Sequence, residues 1–208
     1  MKEPERRAFT FEVRAEQTER GAILTGRPIV YNSRTNLEYF DEIIEQGALD
    51  GADLTDVRFL VNHNTSMIPL ARSRRNNGNS TMQMSVDAEG LFLNYVLLDT
   101  ENNADARALY SAVQRGDLSG MSFMFRVDGE AWDDLESDHP TRRITKISKV
   151  YEVSAVTFPA YEDTSISVRN KEALDNARSA LEKARGTAPV DTGLELEKEK
   201  LKLLGGRK

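Results

Sequence analysis

The reactive side chains of this sequence are few, and their scarcity narrows the chemistry open to it. Cysteine is absent from all 208 residues, which removes thiolate nucleophiles, disulfides, zinc–thiolate sites and iron–sulfur clusters together. Histidine occurs twice, at His63 and His139, so a site built on several imidazoles of one chain is excluded as well. A nucleophile must then be Ser, Thr, Lys or a carboxylate. His63 follows the apolar run Val57-Arg-Phe-Leu-Val61 and precedes a polar turn, a position that suits either a structural hydrogen bond or a general base. His139 stands in Glu-Ser-Asp-His-Pro, within an acidic loop, and reads as a solvated residue.

Serines are common, so their context has to decide between them. Ser119 and Ser122 lie in Arg115-Gly-Asp-Leu-Ser-Gly-Met-Ser-Phe-Met-Phe125, where a helix gives way to a strand. Alternation puts Phe123, Phe125 and Val127 on one face and Ser122, Met124 and Arg126 on the other. With the phenylalanines in the core, Ser122 looks toward a groove or solvent, as an ordinary strand serine or as a nucleophile. Gly120, two residues earlier, permits close approach of another backbone and frees N–H groups for a developing oxyanion.

Glu152 is an isolated carboxylate in the apolar, β-branched run Lys149-Val-Tyr-Glu-Val-Ser-Ala-Val-Thr157. Unless it sits on an edge facing water, its desolvation costs several kcal/mol and demands a partner, for which an imidazole N–H is suited. The chain contains no G-x-G-x-x-G, P-loop, H-E-x-x-H or G-x-S-x-G motif, and the two histidines lack metal-ligand spacing.

The elements that must hold these residues are mostly strands. Phe9–Val13 alternates, and Ala22–Tyr31 reads as a strand broken at Gly26 and Pro28. Ser80–Val86 and Leu91–Leu98 flank the turn Asp87–Gly90 as a hairpin. Gly120–Val127 and Lys146–Thr157 are further strands around an acidic loop, Asp128–Thr141. Two helices are expected. Leu37–Gln46 has Phe40, Ile43 and Ile44 on one face, and Asn103–Arg115 has Ala106, Leu109, Tyr110 and Val113 on one stripe, ended by Gly116. The expected class is mainly β (α+β), an antiparallel barrel, closed or nearly so, with helices packed outside.

The charge of −6 disfavours a nucleic-acid binder, and no run of 18 apolar residues or signal-like core appears. A soluble, cytoplasmic or cytoplasm-derived protein is expected. Every aromatic residue precedes position 171, whereas 171–208 carries nine basic and seven acidic side chains. That composition marks a domain over 1–170 and a charged tail over 171–208, with a thin amphipathic helix and a linker at 186–193.

Three segments, taken in order, resemble the prohead proteases of tailed bacteriophages. Phe40-Asp-Glu-Ile-Ile-Glu-Gln-Gly-Ala-Leu49 with Val57-Arg-Phe-Leu-Val-Asn-His-Asn64 is similar to the family's E-I-x-x-G-A-F and V-x-x-L-x-N-H-D segments. Gly116-Asp-Leu-Ser-Gly-Met-Ser-Phe123 resembles its serine segment, and Glu152-Val-Ser-Ala-Val-Thr-Phe-Pro-Ala160 its E-V-S-x-V-T-x-P-A segment. The resemblance spans about residues 9–170. It implies a herpesvirus-assemblin-like barrel and a serine endopeptidase that needs no cofactor and no metal. Its implied partners are the major capsid protein's scaffold region, or a separate scaffold, and the protease itself. Direct contact with nucleic acid or membrane is not implied, a homodimer is compatible, and the place of action is the assembling procapsid in the host cytoplasm.

Position by position, the resemblance assigns Ser122 as nucleophile, His63 as general base and Glu152 as third member, although assemblins use a different third residue. The oxyanion donors it allows are the backbone near Gly120, with Arg142 or Arg143 assisting. Asn64 replaces a frequent Asp, Met124 a frequent Gly and Ala71 a usual Gly, and none of these removes a reacting group. Two rival readings remain at this stage: a non-enzymatic assembly module with the same barrel, and a cellular β-barrel that binds a ligand.

Overall fold

The computed structural model describes residues 4–9, 13–157 and 171–187. In chain order its strands are β1 Glu5–Phe9, β2 Val13–Thr18, β3 Gly21–Val30, β4 Arg34–Asn36, β5 Asp41–Ile44, β6 Arg58–Val61, β7 Ala71–Arg72, β8 Met82–Asp87 and β9 Gly90–Leu98. Helix α1 spans Ala104–Gln114, β10 Gly120–Asp133, β11 Thr141–Val156, and helix α2 Lys171–Thr187.

A strand of sixteen residues, β11, organises the larger sheet. It pairs antiparallel with β10 along its length. On its other side it pairs in parallel with β5 near its start and with β6 near its end. The gap between β5 and β6 is bridged by the backbone of Ala48, whose carbonyl accepts from the Ile147 N–H at 2.7 Å, and by Asp53 beside Lys149. The sheet runs β1-β10-β11-β5-β4, with β6 attached at β11 and β7 paired on β6. A second, four-stranded antiparallel sheet runs β2-β3-β9-β8.

The core lies where the two sheets face each other. Phe59, Phe123, Phe125, Val127, Ile147 and Val153 from one meet Leu24, Ile29, Leu91, Leu93 and Val96 from the other, and α1 adds Ala106, Leu109 and Val113. Helix α1 forms as its stripe predicts. The Asn103 side chain accepts from the Asp105 and Ala106 N–H groups, and Gly116 leaves the helix at φ 77°. In the β8–β9 hairpin Gly90 is obligatory: at φ 141° a Cβ would lie 2.0 Å from the Ile29 carbonyl oxygen.

Three expectations need correction. The protein is mostly β with two helices, but no closed antiparallel barrel is found among the described residues. The parallel entry of β5 and β6 leaves the large sheet with edges at β1, β4 and β7. The stretch Leu37–Gln46 is not a helix. Asp41–Ile44 is a strand between β4 and β11, and Glu42, Ile43 and Ile44 are all buried. A strand buried on both faces loses its alternation, and Phe40, Ile43 and Ile44 then imitate a helical stripe. The acidic connection is also shorter than expected, because β10 and β11 extend to Asp133 and from Thr141.

The helix expected beyond residue 170 is α2, and it packs against the larger sheet. Ala177 and Leu181 are buried with Leu37 and Phe40, flanked by Tyr39, Trp132 and Leu135. The Phe40 and Trp132 rings meet edge-on at 4.9 Å. Arg185 donates to the Leu135 and Ser137 carbonyls at 3.1 and 2.7 Å, which suits a cation near a helix C-terminus. The linker read at 186–193 lies for the most part outside the described residues.

Candidate active site

Strand register brings the singled-out residues onto one face. Ser122 of β10 stands directly opposite Ser154 of β11, and Met124 opposite Glu152. Directly opposed residues of an antiparallel pair share a face, as do residues two apart on one strand. Ser122, Ser154 and Glu152 therefore lie together, while Phe123 and Phe125 fill the core on the other side with ring centroids 4.8 Å apart. A register shift between Met124 and Phe125 bends the pair beside this cluster, as bulges commonly do near sites.

His63 reaches the cluster by a tight reversal at the end of β6. That strand runs parallel to β11 with Leu60 beside Ser154 and Val61 beside Ala155. Asn62 and His63 then both adopt left-handed backbone, φ 51° and 56°. Asparagine tolerates this well, whereas for histidine it costs on the order of 1 kcal/mol. The turn is fastened from three sides. The Asn62 N–H donates to the Ala155 carbonyl at 2.9 Å, its side-chain amide donates to Thr157 Oγ1 at 3.1 Å, and its Oδ1 accepts from the Thr157 N–H at 3.0 Å.

The result is an imidazole held by a buried carboxylate. His63 Nδ1 hydrogen-bonds Glu152 Oε1, and the Ser154 hydroxyl donates to Glu152 Oε2 at 2.6 Å. Ser154 Oγ also accepts from the His63 backbone N–H at 3.1 Å. Glu152 is 3 % exposed and the His63 side chain 16 %. With Nδ1–H given to the carboxylate, Nε2 is left as the acceptor, which is the tautomer a general base requires. Glu152 lies on the central strand of its sheet, so the edge-strand alternative falls away, and the desolvation it pays is offset by two hydrogen bonds.

Ser122 faces away from the phenylalanines as alternation requires, but it is not open to a groove or to solvent. It is 0 % exposed, and its hydroxyl donates to the backbone carbonyl of Arg7 at 2.6 Å. The cover is β1, which pairs antiparallel with β10 and sets Ala8 beside Ser122. Gly120 opens β10 opposite Val156, whereas Ser119 is exposed at the preceding bend.

The two arginines are committed elsewhere. Arg142, 2 % exposed, donates from Nε to Glu130 at 2.8 Å, and from its two terminal nitrogens to Glu5 at 2.6 and 2.8 Å and to Glu42 at 3.0 Å. Arg7 joins this network, meeting the two Glu42 oxygens at 2.5 and 2.7 Å and Glu5 at 2.7 Å. Burial alone would raise the Glu5 carboxyl, but hydrogen bonding to Arg142 and the charges of Arg7 and Arg142 hold it down at about 2. Arg143 pairs with Asp133 at 2.5 Å and lies 3.6 Å from Glu45. His139, read as solvated, is exposed and meets Asp41 at 3.0 Å.

The residues that the sequence left unremarked are Ser154, Arg7 and Glu42. Ser154 was discoverable, since it lies two positions from Glu152 on the same strand face. Among the described residues no group of three or more His, Asp or Glu side chains is placed to hold a metal ion. No helix among them is long and apolar enough to cross a membrane.

The family described as caudovirus prohead serine protease matches residues 9–178. A comparison with curated proteins gives no match. Among solved structures the bacteriophage T4 capsid assembly protease, gp21, is similar at 11 % identity and a TM-score of 0.44, covering 76 % of this chain and 100 % of that one. With the family match extending over most of its length, the chain belongs to the caudovirus prohead serine proteases.

Proposed function

We propose that this prohead serine protease works as an endopeptidase with Ser122 as nucleophile, His63 as general base and Glu152 as the group that orients the imidazole. The observation that carries the assignment is the buried pairing of Glu152 with His63 Nδ1 on the sheet face that Ser122 shares. In the reaction, His63 Nε2 takes the Ser122 proton as Oγ attacks the scissile carbonyl, then returns it to the leaving amine. Glu152 stabilises the imidazolium between these steps. Water, activated in the same way, hydrolyses the acyl-enzyme.

The backbone N–H groups about Gly120–Ser122 are the proposed oxyanion donors. The carboxylates gathered around Arg142 and Arg143 favour structural work for those two side chains. The proposed substrates are the scaffold region of the major capsid protein, or a separate scaffold, and the protease itself, inside the procapsid in the host cytoplasm. An assemblin-like mechanism and self-trimming within 171–208 belong to the same proposal.

Co-expression with the cognate capsid protein, read by intact mass, tests it. Ser122→Ala is expected to leave both proteins full length, while Ser119→Ala, at an exposed position, still cleaves. Processing that persists in Ser122→Ala would refute the nucleophile. Capsid protein left unprocessed by the unsubstituted chain would favour the non-enzymatic assembly module.

A further inference from the structure

A peptide bond about to be cut must bring its carbonyl carbon within about 3–3.5 Å of the attacking oxygen. One backbone carbonyl already occupies the neighbourhood of Ser122 Oγ, and it belongs to Arg7, with its oxygen 2.6 Å away. The serine is 0 % exposed, so nothing else can reach it while that carbonyl is in place. The opposite edge of β10 is taken by β11 along its whole length. An extended peptide can therefore join β10 only where β1 now pairs, from Glu5 beside Phe125 to Phe9 beside Met121, by the strand addition that sheet edges support.

Accepting the Ser122 assignment made above, we propose that β1 is a strand of the chain itself lying where the substrate strand must lie, and that cleavage requires β1 to leave. Two further observations fit a resident occupant. The Ser122 proton is given to Arg7 and not to an imidazole, so the covered serine is not poised for transfer to His63. The strand is also latched from the far side of the sheet, through Arg7 on Glu42 and Glu5 on Arg142, and α2 packs beside it. These anchors hold β1 without using any group of the proposed catalytic set. Departure of β1 would uncover the serine and release the β10 N–H groups that now face it. A substrate strand would then take up those N–H groups.

The absence of cysteine makes a crosslinking test clean. Arg6 and Met124 are directly opposed across β1 and β10, and such pairs lie about 4.5–5.5 Å apart at Cα, within the range a disulfide spans. In the full-length Arg6→Cys/Met124→Cys chain, labelling of Ser122 by diisopropyl fluorophosphate is followed by mass in the oxidised and reduced states. The oxidised chain is expected to label at least about tenfold more slowly than the reduced one, and equal rates would overturn the proposal.

Met124 is near the site, so a second measurement uses the unsubstituted chain. Hydrogen exchange of the β1 amides is compared before and after labelling. Phosphorylated Ser122 cannot coexist with the Arg7 carbonyl at its present distance, so β1 should exchange at least about tenfold faster in the labelled protein. Unchanged protection in labelled protein refutes the strand's role. Failure of the underlying assignment shows differently: labelling that persists in Ser122→Ala, or none at Ser122 in reduced and unsubstituted chains, removes the nucleophile and the proposal with it.

Discussion

Ser154→Ala separates a residue that positions the site from one that reacts in it. The Ser154 hydroxyl has two partners, Glu152 Oε2 at 2.6 Å and the His63 N–H at 3.1 Å. Deleting a hydrogen bond to a buried carboxylate costs about 1.5–3 kcal/mol, and leaving the His63 amide without its acceptor adds about 1 kcal/mol. The expected loss of stability is therefore about 2.5–4 kcal/mol, which a domain of ordinary stability survives. A freed carboxylate and a loosened left-handed turn let the imidazole wander, for which we expect a ~10- to 100-fold loss, or about 1.4–2.7 kcal/mol of transition-state stabilisation. Urea unfolding gives the first quantity and steady-state cleavage of a capsid-derived substrate the second. The loss should fall on kcat, with KM nearly unchanged, because Ser154 does not lie on the substrate's path. Ser154→Thr keeps the hydroxyl and should recover most of kcat at some packing cost. A stability change below about 0.5 kcal/mol would refute the hydrogen bonding. A dead Ser154→Ala beside an active Ser122→Ala would exchange the roles of the two serines.

His63→Ala is expected to be as inactive as Ser122→Ala, and the double variant no worse than either, since the members act as a unit. Glu152→Gln should be impaired rather than dead, and full activity there would remove it from the set. Leu181→Ala, which empties the contact of α2 with Leu37 and Phe40, should cost about 2 kcal/mol in urea unfolding, and an unchanged midpoint would mean that α2 does not dock. The Glu5 carboxyl is depressed from 4.5 to about 2, so its contribution is present above pH 4.5 and is lost as pH falls toward 2. Stability measured across that window should drop less steeply in Glu5→Gln, and parallel curves would refute the Glu5 latch.

Much of the site was legible because its parts obey local rules. A lone carboxylate in an apolar strand needs a partner, and a histidine just past an apolar strand can supply one. Glu152 and His63 do meet. Ser122 was placed on the correct face by alternation, yet its burial was illegible, because the strand that covers it lies 115 residues away in sequence and no local pattern announces that pairing. The same blindness explains the barrel. Pairing β5 and β6 in parallel with β11 joins segments about ninety or more residues apart, and periodicity carries no information on such partners. At Phe40–Ile44 the failure is different: burial on both faces erases the period on which the reading depends.

The long reach of β11 also sets a clock on the polypeptide as it is made. His63 and Glu152 are 89 residues apart, so a ribosome adding ~5–20 residues per second leaves the imidazole without its carboxylate for roughly 4–18 s. Ser154 follows within another fraction of a second, and only then does β6, already paired with β7, have β11 to lie against. Closing loops of this length is slow relative to helix or hairpin formation, so a nascent chain has the serine and the histidine long before it has a working arrangement of them. On the proposed assignment of His63 and Glu152, proteolytic competence arrives last, after nearly the whole domain has been translated, and a truncated translation product lacking β11 is expected to be inactive.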